Sequence, residues 1–144
     1  MHPNDDSVLS VVNYAVEHLK VKHGPFTLVS SVRRRLIRPP PVVVVGHTHC
    51  GGAAACVKIA SAPPSAQPDI PLIRWLTPLL NLAQSLNVAS LEPTEAVSLL
   101  VKENVKRQVQ NLAEMEATKG VQIHGLVYDL ATGILTNLEV TQQK

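Results

Sequence analysis

Residues 42–56 read VVVVGHTHCGGAAAC. Four consecutive β-branched residues suit a strand buried on both faces, the kind that parallel sheets keep in their interior. Gly46 ends the run, and the polar residues His47, Thr48, His49 and Cys50 follow at once. Gly51 and Gly52 then allow a tight backbone turn, and residues 53–60 have the small, apolar composition of a closely packed helix. A buried strand would thus deliver His47 and Cys50 to its C-terminal end, the rim where open α/β sheets place their chemistry. An imidazole and a thiolate three residues apart form, by donor type, half of a zinc site. The blander reading is a small-residue turn with an inert cysteine that packs like a small hydrophobe. The ordered succession of strand, glycine, His-x-x-Cys, Gly-Gly and small-residue helix favours the metal.

Upstream, residues 24–41 (GPFTLVSSVRRRLIRPPP) interrupt the pattern. A helix feeding a parallel strand normally connects in a handful of residues. Here 18 intervene, and they end in three prolines that forbid regular structure just before the strand. This segment is expected to be a removable insertion with no core residues. A genuine surface loop is the alternative, since closure entropy rises slowly with length. Its run Arg33-Arg34-Arg35 reads as solvated loop charge. Before it, residues 4–7 offer N-caps, and Val8, Val11, Val12, Ala15, Val16 and Leu19 recur with helical spacing along one stripe. His18 and His23 read as solvated residues at that helix's end.

Downstream, residues 61–71 hold four prolines and read as a loop. Residues 70–91 have helical spacing, with a break expected around Thr77-Pro78. Trp75, the lone tryptophan, is expected to fill core or interface rather than stack on a ligand. Pro93 and Thr94 open the longest helix, expected to run to about Thr118, with Val97, Leu100, Val101, Val105, Val109 and Leu112 inward. Lys119-Gly120 supplies its stop. Residues 121–140 alternate as two strands around a turn of Asp129, Thr132 and Gly133, the first strand central and the second at an edge. His124 reads as a satisfied core or interface histidine.

At 144 residues the chain is expected to form one domain spanning 1–144, of α/β class, with a mostly parallel β-sheet flanked by helices. Aromatics make up 3% against 45% hydrophobic residues, so the core must be aliphatic. A net charge of +2, scattered along the chain, argues against nucleic acid as a partner. Two cysteines six apart make no disulfide framework, which fits a reducing, cytoplasmic compartment. The N-terminus MHPNDDSV lacks the features of a signal peptide. No apolar run reaches the roughly 20 residues of a membrane span. A nucleotide-binding reading of Gly51-Gly52 at a helix N-terminus is a weaker third reading, disfavoured because no Gly-x-Gly-x-x-Gly or phosphate-loop lysine follows the strand.

GHTHCGG after a valine-rich strand resembles the second zinc motif of the β-class carbonic anhydrases. The resemblance continues in SVVNYAVEHLKVKH upstream and in WLTPLL, ENVKRQVQNL and HGLVYDLATGIL downstream. It implies a β-carbonic-anhydrase-like fold, N-terminally truncated, that uses Zn2+ to interconvert carbon dioxide and bicarbonate. It implies His47 and Cys50 as metal ligands, and the backbone of Gly51 and Gly52 as lining of the site. It further implies a homodimer or higher homo-oligomer. The family's third ligand lies in an upstream Cys-x-Asp-x-Arg motif whose Asp and Arg sit beside the metal. That motif does not occur in this sequence, so no residue here takes a catalytic role. Cys56 lies around the far side of its helix, His49 is expected to point away, and Asp5 or Asp6 would need a folded-back N-terminus. The alternative function is a non-catalytic family remnant acting as a dimerisation or regulatory partner.

Overall fold

The structure is a computed structural model, and it describes residues 6–15, 41–62 and 70–142. Among these, α1 (Asp6–Asn13) precedes β1 (Val42–His47), α2 (Gly51–Ala60), α3 (Pro71–Ser85), α4 (Pro93–Ala113), β2 (Ile123–Tyr128) and β3 (Leu135–Gln142). The expected insertion at 24–41 lies outside the described residues except for Pro41, as do Val16, His18, Leu19 and His23.

Helices flank a small sheet of order β1-β2-β3. At its two ends the β1–β2 pair is bracketed by Val42 N–H donating to Gln122 C=O and Thr48 N–H donating to Tyr128 C=O. Both partners advance together, so the pair is parallel. β2 and β3 form a hairpin, in which Asp129 N–H donates to Ile134 C=O at 2.8 Å. The turn chemistry expected from the sequence is present. The Asp129 carboxylate accepts from Ala131 and Thr132 N–H at 2.8 and 3.3 Å, and Gly133 takes φ +74°. Those backbone donors hold the Asp129 carboxyl below the ordinary carboxylate value.

The molecule gathers into two compact units that share its long elements. In the first, comprising residues 1–44, 107–125 and 139–144, the core is Val109, Leu112, Met115 and Ile123. Val12, Val42, Val44, Ala113 and Val140 pack against it. The end of α4 is secured by the buried Thr118, whose hydroxyl reaches the carbonyls of Leu112 and Met115. In the second unit, residues 45–106 and 126–138, α2 packs on α3, and both meet a single 3-10 turn at Val88–Ser90. There Gly46 lies under α4: a β-carbon built on it would stand 2.7 Å from Val105 Cγ2 and 3.0 Å from Val101 Cγ1.

Several expectations need correction. β1 extends through Gly46 to His47, and among the described residues it is an edge strand rather than a central one. It is not buried on both faces: exposure alternates, leaving Val43 and Val45 at 45% and 53%. Among the described residues no strand pairs with the outer edge of β1. β2 is the central strand and β3 the other edge, as expected. α3 runs unbroken through Pro78, because one missing N–H costs a single helical bond. Beside it the Thr77 hydroxyl donates to Ile73 C=O at 2.9 Å. α4 stops at Ala113, before a 3-10 turn at Glu116–Thr118, rather than at Thr118 itself. Val11 is exposed in spite of its place in the helical stripe, while Val12 faces the core. Trp75 is 77% exposed, so it fills no core.

Candidate metal centre

Three residues carry β1 into α2. The strand ends on His47, Thr48 and His49 make the turn, and Cys50 is the N-cap residue of α2. The turn is not made by the glycines. Gly51 and Gly52 are the first residues of α2, and the left-handed conformation falls on His49 at φ +56°. A non-glycine residue in that region is held there by its surroundings.

Thr48 provides the hold. Its N–H donates to Tyr128 C=O at 2.9 Å, tying the end of β1 to the end of β2. Its Oγ1 accepts from Leu130 N–H at 3.0 Å, tying it to the β2–β3 turn. Its own carbonyl lies 2.9 Å from His47 Nδ1. A carbonyl can only accept, so Nδ1 carries a proton, and in the neutral ring Nε2 keeps its lone pair. That is the tautomer and orientation of a histidine prepared to bind a metal through Nε2.

Cys50 is half-buried, at the helix end that favours negative charge. A β-carbon on Gly52 would stand 3.9 Å from Cys50 Sγ and 3.6 Å from Leu76 Cδ2, so the thiol lies close to the Gly52 backbone. Cys56, two turns along α2, is fully buried. Burial, and then the nearby Cys50, push its thiol up. A thiol-alkylating reagent should therefore modify the native chain once, at Cys50, with Cys56 reacting only after denaturation. Mass mapping of the labelled peptides checks this, and equal labelling of both under native conditions would contradict the assigned burial.

By donor type His47 and Cys50 fit zinc as a pair: an oriented imidazole nitrogen and a soft sulfur, three residues apart on a braced turn. They do not complete a site by number. Among the described residues no group of three His, Cys, Asp or Glu could hold a metal ion. His49, which sequence reading set aside as a ligand, instead lines a cavity of about 600 Å³ with Thr48, Ala54 and residues of α4. Asp5 is outside the described residues. What sequence reasoning missed is Thr48, whose role rests on a backbone donor 82 residues away and leaves no local signal.

Comparisons with known proteins converge on one family. Residues 36–135 match the family model described as carbonic anhydrase. A carbonic anhydrase of Emericella nidulans is 30% identical over 146 residues, covering 94% of this chain and 53% of the relative. One of Synechococcus elongatus is 26% identical over 139 residues, covering 90% and 43%. Among solved structures, the β-carbonic anhydrase CafA of Aspergillus fumigatus superposes with a TM-score of 0.71 at 33% identity, covering 99% of this chain and 60% of that one. A tetrameric β-carbonic anhydrase of Sordaria macrospora gives 0.67 at 27%, covering 99% and 64%. The chain thus spans about half the length of the curated relatives it matches.

Proposed function

This chain belongs to the β-carbonic anhydrase family, and from that premise we propose that it takes part in zinc-dependent, reversible hydration of carbon dioxide to bicarbonate, with His47 and Cys50 as its contribution to the metal. The observation that carries the reading is the braced HTHC turn, where a backbone carbonyl sets the tautomer of His47. When bound, zinc supplies Lewis-acid activation of water at neutral pH. The chain's own part is to present Nε2 of His47 and the sulfur of Cys50 from one turn. The flexible-backbone residues Gly51 and Gly52 leave room beside the sulfur. A β-carbon on Gly51 would meet nothing within 4 Å, so this side of the site is open. The described residues supply this pair and no third ligand beside it. The proposal extends to homo-oligomeric assembly and a cytoplasmic location. Two free cysteines support the location, and no helix among the described residues is long and apolar enough to cross a membrane.

A second reading has its own observation. The exposed Val43 and Val45 on an edge strand suit a family member that acts as a dimerisation or regulatory partner without catalysing the reaction.

Zinc per chain and stopped-flow carbon dioxide hydration separate the two. The measurements are made on this chain and on a version extended upstream by a segment carrying Cys-x-Asp-x-Arg. The chain alone should hold zinc weakly and hydrate near background, and the extension should raise both zinc content and rate. His47→Ala in the extended protein should remove the gain. An extended, folded protein with neither zinc nor hydration would overturn the first reading.

A further inference from the structure

We propose that Thr48 is the positioning residue for His47, and that the β2–β3 turn is part of the same brace. The inference rests on the reading of His47 as a zinc ligand, and it adds the machinery that aims it. Three groups of Thr48 are engaged at once. Its N–H is fixed by Tyr128 C=O, its Oγ1 by Leu130 N–H, and its C=O receives His47 Nδ1–H. The first holds the His47–Thr48 peptide and the second the Thr48 side chain, so the residue whose carbonyl makes the third contact is anchored on both. The next residue, His49, sits at φ +56°, a conformation that would relax toward negative φ if the peptide before it were released. Relaxation there would swing the Thr48 carbonyl and free the imidazole to adopt its other tautomer, whose Nε2 carries the proton and cannot bind metal.

The donor to Thr48 Oγ1 is itself held. Leu130 follows Asp129, whose carboxylate accepts from Ala131 and Thr132 N–H, and Gly133 N–H donates to Asp129 C=O at 2.8 Å. The turn is therefore stiff where it meets Thr48. Orientation of the metal ligand at the end of β1 depends in this way on a turn that contributes no ligand.

The test reads the tautomer directly, in the metal-free protein. Long-range proton–nitrogen NMR correlations are recorded at the alkaline end of a pH series, where the His47 ring signals no longer change. Wild-type His47 should show a protonated Nδ1 and a bare Nε2. Thr48→Ser, which keeps the acceptor oxygen, should match wild type. Thr48→Val, which keeps the β-branch and loses the oxygen, should give a mixture of tautomers. A protonated Nε2 in wild type, or an unchanged signature in Thr48→Val, overturns the proposal. If Thr48→Val does not fold, Asp129→Ala decides through the turn: mixed tautomers support the brace and an unchanged signature overturns it. Titration with zinc alone gives a second readout, where Thr48→Val should bind roughly 10–100-fold more weakly than wild type and Thr48→Ser normally. Equal zinc affinity in Thr48→Val and wild type overturns the proposal. A wild type that takes up no zinc counts against His47 as a ligand, and the tautomer then decides the brace by itself.

Discussion

Leu112→Ala should lower the unfolding free energy by about 2–5 kcal/mol. Leu112 is 2% exposed and packs with Val109, Met115 and Ile123, so truncation leaves a hole in a core with no aromatic ring to move into it. The surrounding side chains are mostly β-branched, and one preferred χ1 well limits how far they can shift to fill the gap. Leu112 is also where α4 ends its run, since its carbonyl accepts the Thr118 hydroxyl and Met115 N–H. Those bonds use backbone atoms and survive the substitution, so the loss comes from packing alone. For a chain of this length the change corresponds to roughly 3 °C of melting temperature per kcal/mol. Urea melts should show a lower midpoint at unchanged slope. A loss below about 1 kcal/mol would mean that this cluster collapses around the cavity, contrary to the packing described.

Gly46→Ala should destabilise by about 1–2 kcal/mol even though alanine is the better strand residue. Replacing glycine in a strand interior gains roughly 0.5–1 kcal/mol of backbone entropy. Against that, the new β-carbon would stand 2.7 Å from Val105 Cγ2 and 3.0 Å from Val101 Cγ1. Both neighbours are short, branched side chains on a helix and are 2% and 7% exposed, so neither can swing into solvent. Overpacking of this kind typically costs about 1–3 kcal/mol, and the steric term wins. The paired variant Gly46→Ala with Val105→Ala should recover part of the steric loss, with the truncation of Val105 charged separately through a double-mutant cycle. A stabilised Gly46→Ala would show that α4 stands farther from β1 than the structure places it.

The elements that the sequence marked well are those whose signal is local. The valine run specified β1, the apolar spacing from Val97 to Leu112 specified α4, and Asp129 with Gly133 specified the hairpin turn. The same local signal put His47 at the end of a strand and Cys50 at the start of a helix. Trp75 shows the limit of such reasoning. Size and apolarity suggest burial for any tryptophan, yet only the direction in which α3 faces decides it, and that direction leaves the ring 77% exposed.

By itself, then, the sequence determined the α/β class, the order of its main elements, and the places of His47 and Cys50 on either side of the turn after β1. Backbone preference, hydrophobic period and donor chemistry are all carried by neighbours in the chain. Tertiary structure alone decided that β1 is an edge among the described residues, because a β-branched run reads the same whether a second strand lies beside it or not. It placed the left-handed residue at His49 instead of the glycines, because hydrogen bonds from β2 and its turn outweigh the local preference of Gly51 and Gly52 for bending. It also gave Thr48 its part in orienting His47, since the donor that holds its hydroxyl is brought there only when β1 and β2 pair.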